Sequence, residues 1–111
     1  MKILFLDDMQ TRHDSFSRKY VGHNITFVKT AKDAINILKR DLNWDLICLD
    51  HDLGNRIFVN SNDENTGYQV AKYLEDKNLT CKIIIHSCNP IGAKNMQRCL
   101  PNAIYRPIFW F

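Results

Sequence analysis

The chain has 111 residues, 45% of them apolar and 24% charged, which bounds it to one domain around one core with ordinary globular composition. The formal net charge is only +3 and Lys and Arg are scattered, so charge alone gives no case for a nucleic-acid partner. No apolar run approaches the roughly 20 residues of a membrane span, and the short run before Asp7 cannot serve as a secretion signal.

Residues 2–6 read as a strand that is apolar on both faces, as a central parallel strand is, and it ends in Asp7-Asp8. The spacing predicts a helix from Met9 to Tyr20, with Met9, His13, Phe16 and Tyr20 on one face, which assigns His13 to packing. Gly22-His23-Asn24 turns the chain into a second strand, Ile25 to Val28. Thr30, with Asp33 three residues on, predicts a capped second helix whose stripe is Ala31, Ala34, Ile35, Leu38 and Leu42. Asn43 ends it.

A third apolar run, Leu46 to Leu49, stops abruptly in Asp50-His51-Asp52 and then Gly54. The polar connection from Gly54 to about Asn65 is long for so small a domain, and such loops are functional or disordered. Thr66-x-x-Gln69 predicts another capping box, opening a helix with Val70, Ala71 and Leu74 inward. Lys82 to Ile85 is a fourth strand running into His86-Ser87. Asn89-Pro90 predicts a helix start, with the helix continuing to about Leu100. Pro101-Asn102 then leads to a fifth strand, Ala103-Ile104-Tyr105, followed by Arg106-Pro107 and Ile108-Phe109-Trp110-Phe111.

Strands alternating with helices imply right-handed crossovers and a parallel sheet in a single α/β domain over residues 1–111. Three strands end in metal-competent polar groups, and open α/β sheets place their ligands at that carboxyl edge. Carboxylates at a buried strand end are costly unless a cation or donors compensate. Asp7, Asp8 and Asp50 are therefore candidate ligands of a hard cation, a role compatible with Asp8 capping the first helix. His51 and Asp52 read as further ligands, an acid/base pair or a polar turn. His86, closing a run of isoleucines, reads as a buried histidine or a functional one. Trp44 and Phe109-Trp110-Phe111 read as core or contact surface. Cys48, Cys81, Cys88 and Cys99 form no C-x-x-C pair, which favours a reduced, cytoplasmic protein over a zinc knuckle or a disulfide framework.

Nearly the whole chain resembles the receiver domain of response regulators. The acidic pair of that family after strand 1 is matched by Asp7-Asp8, its phosphoacceptor aspartate by Asp50, its Ser or Thr after strand 4 by Ser87, and its Lys-Pro by Arg106-Pro107. The resemblance implies a flavodoxin-like five-stranded sheet in the order 2-1-3-4-5. Arg106 in place of lysine, the lack of a fifth helix, and the added His51, Asp52 and His86 depart from a signalling receiver. These departures resemble a narrower group, the receiver-like domains of the cyclic-phosphate-processing group. The matching residues are Leu6-Asp7-Asp8 with Arg12, Leu49-Asp50-His51-Asp52-Leu53-Gly54, Thr66-Gly67-Tyr68 before Val70-Ala71, and His86-Ser87-Cys88-Asn89-Pro90-Ile91-Gly92-Ala93.

That resemblance implies a metal-dependent phosphodiesterase acting on a cyclic nucleotide or an RNA 2′,3′-cyclic end. Asp7, Asp8 and Asp50 would hold Mg²⁺ or Mn²⁺, with acid/base help from His51 or His86 beside Asp52. Direct water attack is expected, with a covalent route through Asp50 also open. Arg12 and Arg106 can clamp a phosphate or be exposed charges; Ser87 and Asn89 can bind phosphate oxygens, with Asn89 equally a helix cap. The alternative is a non-enzymatic phospho-switch or a phosphate-ligand binding module. The expected layout puts two helices on each face before the fifth is taken away, with helix 1 alone on its side. The apolar C-terminal residues, or a second copy in a homodimer, would cover the face left open.

Overall fold

The computed structural model describes residues 1–106. The expectations that fall on residues 107–111, namely the absent fifth helix and a cover or dimer contact made by Phe109-Trp110-Phe111, lie outside the described residues. The elements are β1 (Lys2–Leu6), α1 (Gln10–Lys19), β2 (Asn24–Val28), α2 (Ala31–Arg40), β3 (Leu46–Leu49), α3 (Gly67–Leu74), β4 (Lys82–His86), α4 (Pro90–Cys99) and β5 (Ile104–Arg106). All strand pairs are parallel and the sheet order is β2-β1-β3-β4-β5. None of the helices among the described residues is long and apolar enough to cross a membrane.

The strands alternate their side chains between two cores, as a period of two requires. Leu4, Leu6, Ile47, Leu49, Ile83 and Ile85 face α2, α3 and α4. Ile3, Phe5, Leu46, Cys48 and Ile84 face Phe16 of α1. The helices thus divide three to one, rather than two to a face, and α1 does stand alone on its side among the described residues. His13 is packed there as expected: it is buried, stacks on Phe27 with ring centroids 4.8 Å apart and donates from Nε2 to the Asp7 carbonyl at 2.6 Å. Trp44 belongs to the larger core and donates from Nε1 to the Asp41 carbonyl at 2.8 Å.

Caps explain the helix boundaries, with two departures from expectation. Thr30 accepts from the Asp33 amide at 3.1 Å and Asn89 from the Gly92 amide at 2.9 Å, each satisfying a donor that the first turn leaves open. Position Met9, not Asp8, is the N-cap of α1, and it makes no side-chain cap bond. Instead Asp7 Oδ1 accepts the Met9 amide at 2.8 Å. The Thr66–Gln69 box does not form either. The Thr66 hydroxyl donates to the carbonyls of Asp63 and Ser61, and Gln69 Nε2 donates to Ser61, so both side chains hold the preceding loop. Leu42 falls beyond the end of α2 and is partly exposed.

Candidate metal and phosphate site

Register places the site. Leu6 pairs with Leu49, and Leu49 with Ile85, so the residues that follow these strands converge at one edge of the sheet. Asp7, Asp50 and His86 are fully or almost fully buried there. Each offers a ligand atom within 4.8 Å of the others, the one such group of His, Cys, Asp and Glu found among the described residues. Arg12, one turn into α1, lays Nη1 between the carboxylates, 3.2 Å from Asp7 Oδ2 and 3.4 Å from Asp50 Oδ2. His86 Nε2 lies 3.0 Å from Asp7 Oδ2, and its ring stacks on Phe5 at 4.9 Å.

The electrostatics follow from burial. Desolvation and the neighbouring Asp7 charge push the Asp50 carboxyl well above its usual value, and Arg12 only partly offsets them. Burial pushes Asp7 the same way, but the bond and charge of His86, the Met9 amide and Arg12 outweigh it, so its pKa is lowered. Burial holds His86 below its usual value despite Asp7. We take Asp7 as the anion, whose Oδ2 accepts from His86 Nε2.

Beside this cluster opens a cleft of about 240 Å³ whose wall includes Asp8, Arg12, Asp50, Asp52, Arg56 and Ser87. Asp8 is half-exposed at its mouth and accepts the Asn55 amide at 2.6 Å; it is not among the three clustered donors. Ser87 is buried and accepts the Asn89 amide at 3.0 Å through Oγ, which leaves its hydroxyl hydrogen for a ligand. Asn89 itself is committed to capping α4 and to bonds with Asp52 and Val59, and it does not line this cleft. Arg106, at the exposed end of β5, does not line it either.

His51 also lies off the cleft. It is fully buried, with Nδ1 2.7 Å from Asp52 Oδ1 and Nε2 2.8 Å from Ser61 Oγ. Asp52 reaches the cleft wall, yet its carboxylate accepts the amides of Phe58 at 2.7 Å and Val59 at 3.2 Å as well. Burial raises its pKa, and the bonds from His51, Asn89 and Phe58 more than reverse that, so it is lowered. The direct proton-transfer role expected of His51 or His86 therefore meets an obstacle, because neither ring lines the cleft.

Sequence reasoning missed Arg56, which lines the cleft while paired bidentately with Asp63 at 2.9 and 3.2 Å. It placed His86 at the shared edge as an acid/base group and not as a ligand, whereas the structure sets it in the donor cluster. Its one signal was a histidine closing a β-branched apolar run beside two other strands that end in acids.

The donor set suits a hard divalent cation. Two buried carboxylates supply oxygen ligands of the kind that suits Mg²⁺ or Mn²⁺, and the His86 imidazole is held against one of them, Asp7. A cation entering between Asp7 and Asp50 meets the Arg12 guanidinium that now lies between them.

Comparison with known proteins bears on the family and the fold. A family model described as the cyclic-phosphate processing receiver domain matches residues 2–102. No curated protein sequence matches the chain. Among solved structures, the chain is similar to a CheY-like response regulator receiver domain from Methanospirillum hungatei (TM-score 0.74, 15% identity, covering 99% of this chain and 82% of that one). It is also similar to the signal receiver domain of a putative LuxO repressor from Vibrio parahaemolyticus (TM-score 0.71, 19% identity, 99% and 79% covered). A third is the response regulator TrrA from Thermotoga maritima, solved in complex with Mg²⁺-BeF (TM-score 0.70, 18% identity, 99% and 90% covered).

Proposed function

Because the chain belongs to the family of cyclic-phosphate processing receiver domains, we propose that it hydrolyses a cyclic phosphate, on a cyclic nucleotide or an RNA 2′,3′-cyclic end, with the help of Mg²⁺ or Mn²⁺. The observation that carries this reading is the cluster at the strand ends: two buried carboxylates and a buried histidine with donor atoms within 4.8 Å, of which Asp50 borders the cleft. Four aspartates, Asp7, Asp8, Asp50 and Asp52, stand at or beside a cleft that holds the side chains of Arg12 and Arg56. A bound cation offsets the repulsion that such carboxylates present to an anionic substrate.

Asp7 and Asp50 would hold the ion, with Asp8 at the mouth. When bound, the ion supplies polarisation of the phosphoryl oxygens and activation of water. Arg12, freed from the carboxylates, offsets charge building on the phosphoryl oxygens. Ser87 donates its hydroxyl hydrogen to one of them. His86 acts through Asp7, fixing the direction of its carboxylate and keeping it ionised, as outer partners of ligands do. His86→Gln should weaken Mn²⁺ binding about 10- to 100-fold, measured by titration calorimetry; unchanged affinity would remove His86 from this role.

A phospho-switch is the competing reading. What favours it is Asp50 itself, a carboxylate at the end of β3 that borders the cleft beside Asp7 and Arg12. A screen of cyclic nucleotides and cyclic-ended RNA with Mg²⁺ or Mn²⁺, with and without chelator, separates the two. We expect metal-dependent ring opening. Stable labelling of Asp50 by acetyl phosphate, with no cyclic phosphate turned over, would favour the switch.

A further inference from the structure

Two apolar side chains stand in a cleft that charged groups otherwise dominate. Ile57 is 80% exposed and Met9 41%, and both line the cleft bordered by Asp8, Arg12, Asp50 and Arg56. A single exposed isoleucine on a protein surface needs no explanation. These two come from different connections, the β1–α1 turn and the loop after β3, and reach the wall of one cleft. Neither offers a charge or a strong hydrogen-bonding group, so neither serves a cation or a phosphoryl group.

The backbone fixes Ile57 where it stands. Asn55 and Phe58, on either side of it, adopt the left-handed region at φ 58° and 51°, which a bulky residue such as phenylalanine enters only at a cost. Carboxylates hold this conformation. Asp8 Oδ2 accepts the Asn55 amide at 2.6 Å, and Asp52 accepts those of Phe58 at 2.7 Å and Val59 at 3.2 Å. Asn55 lines the same cleft, and among the described residues its side-chain amide has no hydrogen-bond partner. Such an amide both donates and accepts.

We propose that Met9, Ile57 and Asn55 form a nucleobase subsite of this cleft, so that the cyclic phosphate it takes is one that carries a base. The inference rests on the cyclic-phosphate reading of the same cleft. A nucleobase is apolar on its two faces and hydrogen-bonds at its edge. The Met9 and Ile57 side chains cover the faces and remove apolar surface from water. The Asn55 amide meets the edge with a donor and an acceptor together. An alkyl chain laid there would cover that amide without pairing it, which costs free energy. A cleft of about 240 Å³ lies at the small end of ligand sites, which run from roughly 300 Å³ upward. It takes one nucleotide, and further residues of an RNA lie outside it. The three side chains determine specificity and take no part in opening the ring.

The test uses the whole chain with Mn²⁺ and compares adenosine 3′-monophosphate with 1-O-methylribose 3-phosphate, which has no base, by titration calorimetry. Wild type should bind the nucleotide about 10-fold more tightly than the baseless monoester. The double variant Met9→Ala, Ile57→Ala should erase most of that preference and leave affinity for the baseless monoester unchanged. Asn55→Gly, which keeps the left-handed backbone, should reduce the preference in the same way. With the 2′,3′-cyclic forms of the two compounds, the double variant should raise KM for the nucleotide and leave kcat as in wild type. Cyclic forms that go uncut while the base preference holds would count against hydrolysis and leave the subsite standing. Equal or unmeasurable affinities of wild type for the two monoesters, or a base preference that survives the double variant, would overturn the proposal.

Discussion

Asp50 is the residue at which burial and charge conflict most sharply. Its pKa is raised by desolvation and by Asp7, so the folded state prefers it protonated. Below the unfolded carboxylate pKa, near 3.9, both states carry the proton and nothing is lost. Above the folded value the protein must hold a buried anion, and the full penalty is present. Asp50→Asn removes that penalty. The metal-free variant should therefore melt higher than wild type at pH 8, by roughly 4 °C or more, the shift that about 1 kcal/mol brings in a domain of this size. The gain should vanish near pH 3.5. Melting curves at the two pH values check this, and a variant less stable at pH 8 would mean that Arg12 compensates Asp50 fully. Asp52 has the opposite sign: its folded pKa is lowered, so its contribution is present at neutral pH and is lost as pH falls through the carboxylate range.

At the scale of elements, the strands were legible because each is a short apolar run that stops at a polar group. The shared edge followed from that pattern alone. The helix starts at Thr30 and Asn89 were legible because a cap acts within three residues. Thr66 and Gln69 misled, since carbonyls at Ser61 and Asp63 compete for both side chains. The roles of His51 and Asp52 were illegible for a related reason. Their partners Ser61 and Asn89 lie 10 to 38 residues away, and nothing in local spacing signals such a meeting. Arg106 matched a receiver position by sequence order, yet chain order does not fix where a long side chain at an exposed strand end reaches.

The loop from Gly54 to Asn65 is thus pinned from outside itself, and Asn89 is one of its pins. It caps α4 and donates to Asp52 at 3.1 Å and to the Val59 carbonyl at 3.3 Å. Asn89→Ala should cost about 1 kcal/mol for the cap and roughly another 1 kcal/mol for the bonds to Asp52 and Val59, read from urea unfolding. It should also expose the loop to limited proteolysis. Wild-type stability together with an uncut loop would contradict the pinning described for Asn89.

For the whole molecule, the sheet gathers two buried carboxylates and a histidine where three parallel strands end, and helix α1 brings Arg12 to hold them. On the proposed function, this edge uses a divalent cation to open cyclic phosphates. Phosphorus NMR of a nucleoside 2′,3′-cyclic phosphate incubated with the protein and Mn²⁺ tests it most directly. The cyclic resonance should decay into a monoester signal, stop decaying on addition of chelator, and persist with Asp50→Ala. A cyclic resonance that outlasts the incubation with folded, Mn²⁺-loaded wild type, while acetyl phosphate labels Asp50 stably, would contradict the claim.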